Sequence, residues 1–472
     1  MAKLLNSLLV TPGFASAVND LRLDPRKQSS HGTSPFSEAA LSRRFVERHA
    51  GDLRFVDRWG RWMVWDGTRW KQDDTRNAAG LARILCDEAA TECEKRASER
   101  VGSAKTVSAV LYLASVDRRL AATVGQWDAD PWLLNTPDGV IDLRTSKLRP
   151  HRHDDYLTKV TAVGPRGDCP LFLRFLHRIT GGDTDLIAYL QRALGYALTG
   201  VTSEHALFFA YGTGANGKSV LLSTIAGILG DYHKTSAMET FTASKGDRHP
   251  TELADLRGAR LVTASETEEG RNWAESRIKQ LTGGDRISAR FMRQDFFEFQ
   301  PTFKLFVAGN HKPTLCSVDE AMRRRVHMMP FAVTIPPNER DGELSEKLKA
   351  ERPGILKWLI EGCLRWQREK LAPPQAVTAA TAGYMEAEDT IASWIGDRCE
   401  RDPVAWTSST ELFGSWVAWA NAAGERAGSQ KRLTQKLESH GFRRHKTRYA
   451  QGFYGLRVRL DGAPQGDGRE VR

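Results

Sequence analysis

The chain predicts a multidomain α/β fold, and three observations carry that prediction. Its 472 residues exceed what one hydrophobic core ordinarily organises, so about two to four domains are expected. Across residues 207–335 short apolar runs alternate with amphipathic stretches, as an open α/β sheet requires. The flanks read differently, with helices and turn-punctuated strands before this region and a compact basic segment after it.

Taken in order, residues 1–35 are rich in Ser, Pro, Gly and Asn without a lasting period and are expected to be disordered. Residues 36–165 read as an α+β accessory domain. A helical pattern (Leu41, Phe45, Val46) leads into alternating aromatics around Gly60 and Asp66-Gly67, which suggest a small β-meander. Helical stretches over 76–100 and 106–123 follow, then short strands between Asp130 and Arg144. Tryptophans in such strands pack in cores and hairpins more often than they stack on bases. Residues 166–335 form the α/β core, entered through two amphipathic helices that break at Gly181, Gly182 and Asp183. Residues 336–388 read as a helical linker, with Ile355, Leu356, Trp358, Leu359 and Cys363 on one helix face. In residues 389–460, helices over 410–424 and 430–439 precede strand-like Tyr454 to Arg459, an order that suits a winged helix. Residues 461–472 are expected to be a disordered tail.

The core opens on Gly212, Thr213, Gly214, Ala215, Asn216, Gly217, Lys218 and Ser219, which satisfy G-x-x-x-x-G-K-[ST]. An apolar strand precedes this run and a helix follows it. Glycines there let backbone N–H groups and a helix N-terminus point at phosphates. Lys218 is expected to reach the β and γ phosphates of ATP, and Ser219 to ligate Mg²⁺. Downstream, the apolar strand Arg260 to Ser265 delivers Glu266, followed by Glu268. An acid at that place holds the Mg²⁺ shell and activates water, with Glu266 the first choice for metal and base and Glu268 a possible partner. A further strand, Phe303 to Gly309, ends in Asn310, whose amide suits sensing of the γ-phosphate. The run Arg323, Arg324, Arg325 lies between apolar segments, where Arg324 or Arg325 could reach a neighbouring subunit's γ-phosphate. Between acid and amide, residues 286–299 read as a hairpin with a basic tip, whose Arg290 and Arg293 suit phosphate contacts with a DNA strand.

Formal net charge is +10, which favours a polyanionic partner. Much of it is concentrated between Gln430 and Arg459, with nine Lys or Arg residues against the single carboxylate Glu438. Lys431, Lys436, Arg443, Arg444 and Lys446 are expected to face DNA phosphates. The six cysteines show neither C-x-x-C spacing nor a His cluster, so neither zinc nor a disulfide framework is indicated. No signal peptide and no stretch of ~20 apolar residues is evident. No membrane partner and a cytoplasmic location, that of a bacterial host, are expected.

The phosphate loop, then the strand from Leu261 with Glu266 and Glu268, then Ile278-Lys279-Gln280-Leu281-Thr282-Gly283-Gly284-Asp285, Val307-Ala308-Gly309-Asn310-His311-Lys312-Pro313 and the arginine run occur in one order. That order resembles the superfamily 3 DNA helicases, and more narrowly the phage, plasmid and poxvirus primase-helicase branch. Trp65 to Trp70, Asp130 to Asn135 and Gly195 to Gly200 resemble the accessory region preceding the helicase in that branch. The resemblance implies an AAA+-like ring, usually a hexamer, that hydrolyses ATP and moves 3′ to 5′ on single-stranded or forked DNA. It makes Glu266 the Walker B acid, Asn310 the first sensor and Arg324 or Arg325 the finger, and it puts Arg290 and Arg293 near the pore hairpin. Lys279 and Asp285 fall in the motif between acid and sensor. Some relatives place two adjacent carboxylates at the strand end, whereas Thr267 separates Glu266 from Glu268 here, so the choice of base stays open. With about 35 residues before the accessory domain, the expectation is a helicase without primer synthesis, working with a separate primase or initiator. The alternative is an ATP-switched, DNA-binding replication initiator or regulator without processive unwinding.

Overall fold

A computed structural model describes residues 34–243, 251–265, 270–293, 295–315, 318–425 and 427–459. The chain divides into two units, one of residues up to Trp65 with Lys71–Val124, the other of Asp66–Trp70 with Gly125 onward.

In the first unit the helix Glu38–His49 is capped by the Ser37 hydroxyl, which accepts from the Ala40 amide. Strands Leu53–Val56 and Arg61–Trp65 pair antiparallel. Between them Gly60, at φ 61°, occupies the left-handed region that glycine tolerates best. Trp62 lies across from Phe55, ring centroids 5.1 Å apart, and packs against the core. The helix expected over 76–100 is two helices, Asn77–Thr91 and Lys95–Val101, followed by Ala104–Ser115. The break at Glu94, which is extended, lets Val101 turn back into the core of Leu41, Phe45, Cys86 and Val110.

The second unit is organised by a five-stranded parallel sheet. Its elements are α1 (Pro170–Ile179), α2 (Thr184–Tyr196), β1 (Leu207–Tyr211), α3 (Lys218–Leu229), β2 (His233–Thr235), β3 (Leu261–Ser265), β4 (Lys304–Gly309), α4 (Glu320–Arg323) and β5 (Val326–Pro330). The strand order is β5-β1-β4-β3-β2, every pairing parallel. Parallel strands need crossovers, which cover both faces and require strands apolar on both sides. Successive residues of β1 accordingly enter opposite cores. Phe208 stacks on Phe306 at 4.3 Å on the face packed by α1, α2 and α3. Leu207 and Phe209 join Leu305, Val307, Trp273 and Ile278 on the other.

Residues 125–165 belong with this unit. Leu134 and Ile141 of a small antiparallel sheet, with Leu143 just beyond its second strand, enter the α1–α2 core. The buried Asn135 amide donates to the carbonyls of Thr68 and Lys159, and its N–H donates to the Tyr232 hydroxyl. A long helix, α5 (Leu344–Glu369), lies against α2 at very close range. A Cβ on Gly195 would sit 2.2 Å from the Cys363 amide nitrogen and 2.4 Å from the Gly362 carbonyl carbon. Backbone cannot yield as a side chain does, so Gly195→Ala should destabilise by about 1–3 kcal/mol. Calorimetry reads this as a lowered Tm; an unchanged Tm would disprove so close a crossing.

After α5 come α6 (Gln375–Ala387), α7 (Thr390–Arg398), α8 (Ser409–Ala422) and α9 (Gln430–Ser439). Trp406–Ser408 and Arg444–Lys446 both pair with Gln451–Tyr454, and Cys399–Glu400 pairs with Arg457–Val458. Ile391, Trp394, Leu412, Trp416, Leu433, Leu437 and Phe453 form a separate core for this segment. Among the described residues no helix is long and apolar enough to cross a membrane.

Candidate functional site

Ligands of open α/β sheets bind beyond the carboxyl ends of the strands, and the glycine loop, Lys218 and Asn310 meet at that edge. In the strand register Gly309 lies beside Tyr211, and Ala308 beside Ser265. The phosphate-loop residues Gly212 to Gly217 leave β1 there, and α3 begins at Lys218. Gly214, Ala215 and Gly217 have φ of 96°, 49° and 79°, which curls the backbone around a concavity. Gly217 has a second constraint, since a Cβ would lie 2.5 Å from Cγ2 of Ile179 at the end of α1.

The loop is pinned from outside by the chain leaving β5. Asn216 Nδ2 donates to the Phe331 carbonyl at 3.1 Å, and the Ile335 amide donates to the Ala215 carbonyl at 2.8 Å. The hydroxyls of Thr213 and Thr334 are 3.2 Å apart. Ser219 is exposed on the loop side of α3.

Lys218 is 5 % exposed. Its Nζ donates to the Gly212 carbonyl at 2.9 Å and to Asn310 Oδ1 at 3.2 Å. Both partners are neutral, and no carboxylate among the described residues forms an ion pair with it. Burial lowers the ammonium pKa, because desolvation disfavours the charged form. The curled loop and the N-terminus of α3 direct N–H donors to the place where Lys218 sits, and this donor set fits a bound polyphosphate. Glu266 and Glu268 lie outside the described residues; β3, which leads to them, ends on this edge at Ser265.

The arginine run separates by environment. Asp319 caps α4 by accepting from the Met322 amide at 2.8 Å and also holds Lys279. Arg325, expected alongside Arg324 as a group reaching a neighbour, is turned inward and 8 % exposed. Its Nε donates to the Thr282 hydroxyl at 3.2 Å and its Nη1 to the Ala321 carbonyl at 2.8 Å. Burial lowers its pKa, with Arg324 adding to the shift and Asp319 and Asp285 opposing it. Arg323 ends α4, Arg324 is its C-cap and Arg325 follows, so successive side chains leave the chain in different directions. Arg323 faces Asp389 at 3.7 Å, and Arg324 is exposed.

The hairpin expected over 286–299 is present, Ile287–Ala289 pairing with Phe297–Phe299. Arg293 is exposed at its tip and Arg290 lies over the Phe296 ring at 4.9 Å. The tip also exposes Phe291, Met292 and Phe296, an apolar component that reading for cations alone missed. In the C-terminal segment Lys431, Arg443, Arg444 and Lys446 are exposed. Lys436 is half-buried and lines a cleft with Val318, Glu388 and His440, an environment unlike the open surface expected of it. The Lys431 and Lys436 side chains therefore occupy different faces of α9.

Residues 42–181 match the family described as "D5 N terminal like". Residues 210–325 match a "Family of unknown function (DUF5906)". A protein of Acanthamoeba polyphaga mimivirus named "Putative helicase" is 28% identical over 295 residues, covering 57% of this chain and 31% of that protein. One of African swine fever virus named "Putative primase" is 23% identical over 327 residues, covering 62% and 34%. The chain thus spans about a third of the length of these curated relatives. The C-terminal region of NrS-1 superposes with a TM-score of 0.52 at 10% identity, covering 89% of this chain and 99% of that one. That likeness is one of fold, and it extends over the multidomain α/β architecture described above.

Proposed function

We propose that this chain is an ATP-dependent DNA helicase of the superfamily 3 type, acting in replication of a viral or other mobile genome. In this reading it works as an AAA+-like ring, usually a hexamer, and moves 3′ to 5′ on single-stranded DNA. The observation that carries the reading is Lys218, buried without a countercharge among the described residues, between the phosphate loop and Asn310 at the ends of adjacent strands. Similarity to viral proteins bearing helicase and primase names supports the choice of nucleic acid as the object of the motor.

ATP is the substrate. The loop N–H groups and Lys218 bind its phosphates, and Asn310 orients the γ-phosphate or the water attacking it. Ser219 and Glu266 would hold Mg²⁺, which would supply charge neutralisation at the phosphate oxygens. Glu266 is the base in this assignment, with Glu268 its alternate, and exposed Arg324 serves the site of the adjoining subunit. The hairpin tip combines Arg290 and Arg293 with Phe291, Met292 and Phe296, which suits a single strand presenting phosphates and base faces together. Residues 389–459 act as a winged helix on duplex DNA through Lys431, Arg443, Arg444 and Lys446, since α7, α8 and α9 precede the Arg444–Tyr454 hairpin.

Unwinding of forks with defined tails tests the reading. The expected result is ATP- and Mg²⁺-dependent strand displacement with a 3′ tail and none with a 5′ tail alone. Paired replacement Arg290→Ala and Arg293→Ala should weaken single-strand binding and flatten its salt dependence by about 0.7 in log–log slope for each phosphate no longer neutralised. ATP turnover and DNA binding without displacement of either fork would favour the ATP-switched initiator instead.

A further inference from the structure

Two adjacent carboxylates between α6 and α7 hold three pieces of the molecule that the proposed chemistry uses separately. Glu388 accepts the Leu315 amide at 2.7 Å, five residues beyond Asn310. One turn earlier the Tyr384 hydroxyl donates to the Pro313 carbonyl of the same loop and accepts from Trp273 Nε1 at 3.0 Å. Asp389 is 7 % exposed and caps α7 by accepting from the Ala392 amide at 3.0 Å. Its carboxylate also faces Arg323, the neighbour of Arg324, at 3.7 Å and His440 Nε2 at 3.2 Å. His440 terminates α9, and with Lys436 and Ser439 it lines a cleft against Val318, Glu388 and Asp389.

This arrangement exceeds what capping α7 requires. One amide acceptor suffices for a cap, yet Asp389 spends its remaining acceptor capacity on a cation from the core and an imidazole from α9. Burial works against its charge, and the bonds from His440 and Ala392 together with Arg323 more than reverse that, holding its carboxyl below the usual range. The buried end of each link is Asp389, whose partners there cannot be exchanged for water without cost. A shift of α9 therefore moves His440 against Asp389, and through Asp389 and Glu388 it reaches both Arg323 and the Asn310–Leu315 loop.

We propose that Asp389 is a positioning residue that couples DNA occupancy of the C-terminal segment to the Arg324 finger and the Asn310 sensor, with His440 as its input. The proposal rests on the ATPase reading above. Coupling free energies between two sites are typically worth a factor of about 5 to 150 in affinity, and the same factor is taken as the scale of the effect on turnover.

The test uses the full chain, with ATP turnover measured without DNA, with a random-sequence duplex and with a single strand. Wild type should be stimulated by both. His440→Ala should keep basal turnover, duplex affinity within about twofold and single-strand stimulation, while losing duplex stimulation by a factor in the range just given. His440→Gln, whose amide can donate to Asp389, should restore it, and Arg323→Ala should reproduce the loss. Unchanged affinity shows that α9 still folds. Full duplex stimulation in His440→Ala, or none in wild type, overturns the coupling alone. Absence of any ATP turnover in wild type overturns the ATPase reading and the coupling with it.

Discussion

Replacing Lys218 with alanine should lower ATP turnover by at least about a hundredfold and leave thermal stability essentially unchanged. The two halves of that expectation come from the same geometry. Among the described residues Lys218 Nζ is bonded to the Gly212 carbonyl and Asn310 Oδ1, both neutral, so its removal strands no buried carboxylate there. Both acceptors lie at the edge of the sheet, and Asn310 is exposed, where water replaces the lost donor at little cost. Burial of the ammonium already opposes its charge, so the folded state also loses a desolvation penalty. In the reacting complex the balance reverses, because a cation fixed beside the phosphates is worth more as negative charge develops there. Steady-state hydrolysis and a melting curve on the same preparation check both halves. Turnover within tenfold of wild type would remove Lys218 from the site, whereas a collapsed melting transition would mark it as structural.

The local structure that the sequence made legible at this edge is that whose pattern is contiguous. The phosphate loop requires Gly at particular backbone angles, followed at once by Lys218 and a helix, so its pattern is contiguous. The strands flanking it are buried on both faces, which makes Leu207 to Ala210 and Leu305 to Ala308 uninterrupted apolar runs. Asn310 follows the second run directly and so inherits its place from it. What sequence reading did not recover depends on distant partners. Arg323, Arg324 and Arg325 are identical in type, and only Thr282, Asp389 and the end of α4 assign them to different surroundings. Residues 125–165 resemble the segment before them in texture, yet Asn135 bonds to Thr68 and Lys159 and to Tyr232, 97 positions away. Asp389 signals itself as a cap before Thr390, but nothing near it names His440 or Arg323. Lys436 belongs to a charge cluster by composition, while the packing of α9 places it in a cleft lined by Val318 and Glu388, residues far from it in sequence.

Separating Arg324 from Arg325 gives the second large effect. Arg324→Ala should reduce turnover in the assembled protein by about 10³-fold or more, the range of a transition-state arginine, with an unaltered melting temperature because the side chain is exposed. Arg325→Ala should do the opposite. It removes hydrogen bonds of a charged donor to Thr282 and Ala321 in a buried place, costing about 1.5–3 kcal/mol of stability, and at temperatures where it stays folded it should hydrolyse ATP. The arrangement in trans is tested by mixing Arg324→Ala with Lys218→Ala, each inactive alone. Wherever an Arg324→Ala subunit lends its intact phosphate loop to a neighbour carrying Lys218→Ala, the junction contains both Lys218 and Arg324. Hydrolysis should therefore reappear on mixing and scale with the fraction of such junctions, reaching its maximum near equal proportions. An exposed arginine that served its own subunit's nucleotide would leave every mixture silent, since no subunit then carries both groups, and that result would assign Arg324 to the site of its own subunit and overturn the arrangement in trans.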